Sequence, residues 1–159
     1  MFTIRAEVRV NDDAGAPRLN AEQVYSAMVR RARASSTKDP ELVPPGHRFE
    51  ILEDHGDWLT RHVTRDDGQE STAKVTFHGP YLVVVHFIDG WQRGLMSQML
   101  TVAEDGELLL NFTALSEVPG MAHNSPEEQA IAQARRKVMG TAPAQLLTYA
   151  RQLAAATTA

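Results

Sequence analysis

Residues 81–116 read YLVVVHFIDGWQRGLMSQMLTVAEDGELLLNFTALS. Three runs rich in β-branched and other apolar residues, at 81–89, 95–103 and 107–116, are separated by short segments that contain Gly90 and Gly106. Strand-length runs joined by glycine-containing turns are typical of successive antiparallel strands. The stretch therefore predicts the centre of an antiparallel meander.

The same pattern continues toward the N-terminus. The segments HRFEILED (47–54), WLTRHVTR (58–65) and STAKVTF (71–77) are separated by turns that again contain glycine. Together with the three later runs, they predict about six antiparallel strands. The segment FTIRAEVRV (2–10) alternates apolar and polar residues, which predicts one more strand, half-buried.

Helices are predicted before and after the meander. Asn20 is the expected N-cap of the first helix, with Gln23 at the capping-box position. Residues 35–46, SSTKDPELVPPG, predict a loop or a short second helix because they are rich in proline and serine.

A long helix is predicted to follow the last strand. Ser125 is the expected N-cap, Pro126 fits the first helical position and Glu128 completes a capping box. Gly140 and Pro143 interrupt the helical pattern, so we expect a kink near residues 139–143. The predicted apolar stripe consists of Ile131, Val138, Ala142, Leu146, Tyr149 and Leu153.

This element order predicts an α+β fold in which a bent antiparallel sheet of about seven strands wraps around a long C-terminal helix. We expect residues 1–159 to form one domain, because the length and composition fit a single core. Where curvature carries the sheet away from the helix, the gap is the expected ligand cavity.

Composition excludes several classes of function. The chain has no cysteine, which excludes disulfides, thiolate metal sites and a cysteine nucleophile. The formal net charge is −4 and the longest basic cluster is RRAR at 30–33, so we expect no nucleic-acid partner. No apolar run approaches the roughly 18 residues of a membrane span, and the N-terminus does not resemble a signal peptide. We therefore expect a cytoplasmic protein without a membrane partner.

Metal and cofactor motifs are also missing from the sequence. The histidines at 47, 55, 62, 78 and 123 lie mostly at predicted turns and form no closely spaced ligand pair, so no metal is predicted. No nucleophile elbow, phosphate loop or dinucleotide motif is present, so no cofactor is predicted.

The order β-α-α-β6-α resembles the SRPBCC superfamily of START-like, helix-grip and polyketide cyclase-like proteins. Within it, the segments ILEDHGDWLTRHVT (51–64), VTFHGP (75–80) and LLLNFTALSEVPGMAHNSPEEQA (108–130) look like the AtaL-like family, named for a protein of the acetylaranotin biosynthetic cluster. The resemblance implies a helix-grip fold that binds hydrophobic or aromatic small molecules. Some superfamily members catalyse cyclisation, aldol or dehydration steps, and others only carry or sequester their ligand.

Gln98 stands in the middle of the apolar run LMSQML (95–100). In a strand it shares a face with Met96, Leu100 and Val102, which predicts that it faces the cavity. One interpretation is a glutamine satisfied by backbone or water at a strand end or bulge. The other is a hydrogen-bond partner for a ligand carbonyl or hydroxyl, because a buried amide left unpaired costs about 1–3 kcal/mol.

Other candidate site residues lie in the neighbouring runs. Arg61 either faces the cavity, as an electrophilic clamp for an anionic or carbonyl group, or extends outward at the rim. His62, on the opposite face of that strand, and Tyr81 are candidate proton shuttles. On the strand at 81–89 we expect Tyr81, Val85 and Phe87 to point inward and His86 to point outward.

The remaining predicted ligand contacts are large or flexible apolar side chains. Trp91 is in a turn and is a candidate lid over the cavity mouth. The predicted lining consists of Phe77, Val85, Phe87, Met96, Leu100, Phe112, Val138, Met139 and Ala142.

Three functions remain open at this point. The first is a cyclase, isomerase or dehydratase-like enzyme of secondary metabolism that acts on an aromatic or polyketide-like intermediate. The second is a non-catalytic carrier or self-resistance protein that sequesters such a compound. The third is an interaction domain that uses a sheet edge or the His86 face, and a homodimer is a further expected assembly.

Overall fold

The computed structural model describes residues 1–158. Within that range the chain forms seven strands, two α-helices and one 3₁₀-helix. In chain order they are β1 (Phe2–Arg9), α1 (Ala21–Ala32), the 3₁₀-helix (Pro40–Leu42), β2 (His47–Asp54), β3 (Trp58–Arg65), β4 (Glu70–His78), β5 (Leu82–Gly90), β6 (Arg93–Val102), β7 (Leu108–Glu117) and α2 (Pro126–Thr158).

The strands of residues 1–158 form a single antiparallel sheet in the order β1-β7-β6-β5-β4-β3-β2. Strands β2 to β7 follow one another as a meander, and β1 pairs with β7 in a register that places Phe2 opposite Ser116. The bent seven-stranded sheet with a long C-terminal helix confirms the predicted helix-grip architecture.

The first helix begins as its sequence predicts. Asn20 Oδ1 accepts a hydrogen bond from the Gln23 backbone N–H, and Gln23 Oε1 accepts one from the Asn20 N–H, both at 2.9 Å. This reciprocal capping box satisfies two backbone donors that a helix start otherwise leaves unpaired. The helix buries Val24, Ala27 and Met28 completely, so its apolar face is part of the core.

The start of α2 differs in part from the predicted capping box. The Glu128 N–H donates to Ser125 Oγ at 3.2 Å, which confirms Ser125 as the N-cap. The Glu128 carboxylate, however, accepts from the Met1 ammonium and from the Asn124 N–H rather than from the Ser125 N–H. These hydrogen bonds, the ammonium first, lower the pKa of Glu128. The contact holds the beginning of α2 against the first strand.

Helix α2 lies over β1, β7 and α1, and it is one helix that contains Pro143 in its interior. The predicted kink at 139–143 stays a prediction. Besides Glu128, the side chains of α2 that are buried against the rest of the protein are Ala132, Met139, Pro143, Leu146, Leu147 and Ala150. Val138 is 69% exposed, so its predicted place on the inward stripe is wrong. The buried stripe passes instead through the adjacent residue, Met139. Neighbouring residues of a helix point about 100° apart around its axis, so one is buried and the other exposed.

Candidate functional site

The concave face of the sheet is built from alternate residues of each strand, and the antiparallel register aligns them into rows that cross the sheet. One row contains Phe77, Val83, Gln98, Phe112 and Ala6. The next contains Leu59, Val75, Val85, Met96, Ala114 and Ile4. The third contains Ile51, Arg61, Ala73, Phe87, Gly94, Ser116 and Phe2.

The predicted apolar lining of the sheet lies on this face. Val85, Phe87, Leu100 and Phe112 are buried there, and Phe77 and Met96 are half-buried on the same side. The outward orientation of His86 is confirmed, because it is exposed between the inward Val85 and Phe87.

Space remains above the middle of β6. Met96 and Gln98 are only half-buried although β5 and β7 flank their strand on both sides. By contrast, Val83 and Phe112, the neighbours of Gln98 in its row, are 1% and 3% exposed. In a close-packed core, central positions on one face would be buried alike. The concave face is therefore not completely filled above Met96 and Gln98.

Gln98 places its amide in this partly filled region. Its Oε1 atom is buried and has no hydrogen-bond partner among residues 1–158. Buried amide oxygens almost always have a partner, because leaving one unpaired is costly. The prediction that Gln98 faces the inside of the fold is confirmed, and its position at the centre of β6 rules out a strand end.

Arg61 is buried on the same face, so the alternative in which it extends to the rim is wrong. It is 9% exposed, its Nη1 donates to the Ala32 carbonyl at the end of α1 at 3.3 Å, and its guanidinium carbon lies 4.4 Å from the Phe49 ring centroid. Its buried Nε–H has no partner within the described range, 1–158. Nor does any carboxylate of that range form an ion pair with it.

The charge of Arg61 is therefore poorly compensated. Burial, with a smaller contribution from the nearby positive charge of Arg31, lowers the pKa of Arg61 to about 10. Burial also lowers the pKa of Arg31, and the phenol of Tyr149 opposes that shift. Desolvation disfavours the charged form of a base, so an anionic or carbonyl group in this region would relieve a real electrostatic cost.

Acid and base groups are scarce on the concave face. From β3 through to β1, the three rows carry no aspartate, glutamate or histidine among the described residues. At the β2 end of the middle row stands Asp54, which is exposed and accepts a hydrogen bond from Arg33 at 2.5 Å. The pKa of Asp54 is lowered, first by that hydrogen bond, so its carboxylate stays ionised and remains engaged by Arg33.

Both predicted proton shuttles lie elsewhere. His62 is on the outer face of β3, with Nε2 3.5 Å from the Glu70 carboxylate. Tyr81 precedes β5 and is 53% exposed, so the prediction that it points inward is wrong. The structure thus brings Gln98 and Arg61 to one face and leaves His62 and Tyr81 outside it.

Trp91 lies between the sheet and α2. Its backbone N–H donates to the Glu70 carbonyl at 2.8 Å, and its half-buried indole stacks with the guanidinium groups of Arg65 and Arg135, at 4.3 and 4.7 Å from the ring centroid. From α2, Met139 is buried and Ala142 half-buried, whereas Val138 faces away.

Two other features bear on the class of site. Among residues 1–158, no group of three or more histidine, aspartate or glutamate side chains is placed to hold a metal ion, and no helix is long and apolar enough to span a membrane. An open surface cleft of about 370 Å³ lies beside Gln23 and Leu153, and another of about 320 Å³ lies beside Met121. Both are away from the three rows.

The sequence profile of one protein family, described as Acetylaranotin biosynthesis cluster protein L (AtaL), matches residues 4–157. The chain belongs to the AtaL family. None of the curated proteins matches it.

Solved structures with the same fold include several biosynthetic enzymes. The AtaL-family chain superimposes on the ZhuI aromatase/cyclase from Streptomyces sp. R1128 with a TM-score of 0.61 and 15% identity over 95% of this chain and 94% of the other. It superimposes on norcoclaurine synthase from Thalictrum flavum with a TM-score of 0.61 and 17% identity, over 99% of this chain and 96% of the synthase. It superimposes on the di-domain aromatase/cyclase StfQ of the steffimycin pathway with a TM-score of 0.63 and 15% identity, over 98% of this chain and 51% of StfQ. This chain therefore corresponds to about half of StfQ. At these identities the likeness establishes the fold.

Two further residues beside the concave face, Arg65 and Arg135, are not among those that the sequence analysis singles out. Arg65 shares the side of β3 used by Arg61 and Val63, a signal that alternation along the strand contains. Arg135 belongs to the run RRK (135–137), and only the correct phase of α2 shows that it is the member that turns inward.

Proposed function

We propose that this protein binds a hydrophobic, aromatic or polyketide-like molecule between the concave face and α2, and promotes its cyclisation, isomerisation or dehydration. The observation that carries the proposal is the pair of buried, unpartnered polar atoms, Gln98 Oε1 and Arg61 Nε, on a mainly apolar face. A ligand hydroxyl would donate to the amide oxygen of Gln98. A ligand carbonyl or enolate oxygen would accept from Arg61.

The distance between the two groups constrains the ligand. Strands β4 and β5 separate Arg61 on β3 from Gln98 on β6, and the row of Arg61 crosses β6 at Gly94, four residues from Gln98. The two backbone positions are therefore about 19 Å apart on a flat sheet and closer on a bent one. One molecule that contacts both side chains is therefore long, in keeping with several fused rings or a folded chain. The fold shared with aromatase/cyclases supports the same class of ligand.

The chemistry available to such a ligand follows from the residues present. Arg61 would stabilise negative charge that develops on a carbonyl oxygen, because a preorganised donor in a site of low dielectric acts more strongly than in water. Gln98 and the apolar rows would hold the reacting carbons close together, and positioning alone contributes substantially to intramolecular condensation. Because carboxylate and imidazole groups are scarce there, proton transfer would fall to another type of side chain, to the ligand itself or to solvent.

A second candidate function is a carrier or self-resistance protein that holds the same class of compound without changing it. The observation that favours it is the lack, among described residues of the three rows from β3 through to β1, of an aspartate, glutamate or histidine. General acid–base catalysis most often uses one of these groups, within hydrogen-bond reach of the reacting atom. In this function Gln98 and Arg61 would contribute affinity only.

The test uses hydroxylated anthraquinones and naphthalenes as binding probes and a linear poly-β-ketone thioester as a substrate surrogate. Calorimetric titration measures affinity, and chromatography with mass spectrometry detects cyclised or dehydrated product. Gln98→Leu and Arg61→Met should each weaken binding about tenfold or more, which corresponds to about 1.4 kcal/mol. Gln133→Leu and Arg48→Met make the same changes at exposed positions and should bind as the wild type does.

The outcomes separate the two functions. Product formation that disappears in Arg61→Met supports the enzyme. Binding without any product from the wild-type protein supports the carrier. A folded wild-type protein that binds none of the probes, or cavity variants that bind as well as the exposed controls, would overturn both.

A further inference from the structure

Three side chains from different elements meet at one end of the concave face, and we call them the Trp91 cluster. Arg65 is the last residue of β3, Trp91 follows β5, and Arg135 lies in the third turn of α2. Both guanidinium groups stack with the one indole, at 4.3 Å for Arg65 and 4.7 Å for Arg135. Arg135 also lies 5.6 Å from the ring of Phe2. The cluster therefore connects the sheet to the helix that covers it.

The position of the cluster relative to the concave rows follows from the strands. Arg65 is on the same side of β3 as Arg61, four residues further along. Beside Trp91, the Gln92 N–H donates to the Oγ of Ser71, a buried residue that pairs with Val63 on the same face. The cluster thus lies beyond the third row, with the pair Val63 and Ser71 between Arg61 and Arg65.

The charges of the cluster are not balanced. Arg65 has one carboxylate neighbour, Asp67, at 3.4 Å and close to solvent. Arg135 forms no ion pair with any carboxylate of residues 1–158. Arg65 Nε and Arg135 Nη1 are both buried without a partner in that range. Burial, followed by repulsion from Arg65, lowers the pKa of Arg135 to about 10.

Stacking on an indole compensates part of the charge of a guanidinium but leaves its N–H donors unused. Two such cations around one ring are mutually repulsive, and their free donors point to an oxygen anion as the missing partner. Carboxylate and phosphate groups match guanidinium donors in geometry as well as in charge.

We propose that the Trp91 cluster binds the carboxylate or phosphate group of a ligand whose apolar body lies over the concave rows. The part of this inference that concerns the apolar body rests on the proposed function. Binding of the anion by Arg65 and Arg135 is independent of the proposed function. Anion binding and binding of the apolar body are therefore tested separately.

The chain offers a local reporter for the anion. It contains two tryptophans, and the other one, Trp58, lies on the outer face of β3, stacked on the His55 ring at 4.0 Å. The variant Trp58→Phe therefore leaves Trp91 as the only indole. In this background, titration with sodium phosphate should change the Trp91 fluorescence with saturation, and Arg135→Gln should abolish the change.

Affinity for a complete ligand is measured by calorimetry with two probes of the same shape, naphthalene-2-carboxylate and the neutral naphthalene-2-carboxamide. We expect the carboxylate to bind about tenfold tighter than the carboxamide, and Arg135→Gln to reduce that ratio to about one. The same Arg135→Gln substitution should change the affinity for the neutral carboxamide by less than about twofold. Arg136→Gln is the matched control, because it removes the same charge from an exposed neighbour on α2.

The results distinguish failure of this inference from failure of the proposed function. Equal affinities for carboxylate and carboxamide, with no fluorescence response to phosphate, would overturn the anion site and leave the hydrophobic site standing. An Arg135-dependent fluorescence response to phosphate, without binding of either naphthalene probe, would support the anion site and overturn the hydrophobic site. If Arg136→Gln reduced the ratio as much as Arg135→Gln, the effect would come from net charge and the inference would fall. A circular dichroism melt establishes folding, and Arg65→Gln replaces Arg135→Gln if the latter does not fold.

Discussion

Gln98 on β6 and Arg61 on β3 face the same side of the sheet, with β4 and β5 between them. Their neighbours in the same rows are buried and apolar: Val83 and Phe112 beside Gln98, and Ala73 beside Arg61. A sequence selected only for stability would place apolar residues at both positions. Polar groups at such places reduce the free energy of unfolding, and sites of this kind are commonly functional.

Replacing Gln98 by leucine should stabilise the protein. The substitution removes a buried oxygen that finds no partner among residues 1–158 and keeps a side chain of similar size. The expected increase in the free energy of unfolding is about 1 kcal/mol, since an unsatisfied buried polar group costs about 1–3 kcal/mol. Urea unfolding measures it, and Gln133→Leu, at an exposed helical position, should stay within about 0.5 kcal/mol of the wild type. A clear loss of stability in Gln98→Leu would show that the amide is satisfied in the folded protein.

Replacing Arg61 by methionine should also stabilise the protein, because the linear stem is kept and the buried charge is removed. Replacing even a buried ion pair by apolar residues of similar volume is often neutral or favourable by about 1–4 kcal/mol, and Arg61 has no counter-ion among residues 1–158 to compensate its charge. The loss of the hydrogen bond to the Ala32 carbonyl offsets about 1 kcal/mol of that gain. Chemical unfolding of Arg61→Met against Arg48→Met, an exposed site on β2, gives the comparison. A variant less stable than Arg48→Met would mean that the contacts to Ala32 and Phe49 outweigh the cost of burial.

Turn residues make the sheet predictable. The predicted bounds of β2 and β3, 47–54 and 58–65, agree with the structure. Glycines mark the turns because several of them adopt positive φ angles, as Gly56 does at 88° and Gly68 at 83°. Alternation along a strand then sets which residues share a face. Alternation is sufficient to place Gln98 on the concave side. On β5 both faces are apolar, so alternation leaves the phase open, and only the more polar odd-numbered residues of β7 favour Val85 and Phe87 as the inward set.

The depth of a residue and the phase of a helix are less predictable. Alternation places Arg61 on one side of β3, but whether that side is rim or interior depends on the curvature of the sheet and the position of α1. Alanines at many positions of α2 give almost no directional signal, so the pattern assigns Val138 to the stripe that Met139 occupies. The prediction for Tyr81 is wrong for a local reason: this residue precedes β5 and follows the Gly79-Pro80 turn, where strand alternation does not extend.

The phase of α2 can be tested with two adjacent substitutions. Met139→Ala removes a side chain that is 8% exposed, and should reduce the free energy of unfolding by about 2–5 kcal/mol through the cavity that it creates. Val138→Ala removes a side chain that is 69% exposed, and should change the stability by no more than about 0.5 kcal/mol. Thermal or urea unfolding of the pair distinguishes the two phases. Equal effects would mean that α2 is rotated about its axis, with Val138 as buried as Met139.

His62→Gln and Tyr81→Phe test whether the ligand lies on the concave face at all. His62 is on the outer face beside Glu70, and Tyr81 is exposed before β5, so neither can reach a molecule held beneath α2. We expect both variants to bind the anthraquinone and naphthalene probes with the wild-type affinity, while Arg61→Met in the same titration weakens binding about tenfold. A comparable loss in His62→Gln would instead place the ligand on the convex surface, where His86, Leu95 and Leu115 are exposed. The two faces of one sheet cannot both account for a single site, so the comparison of His62 with Arg61 decides between them.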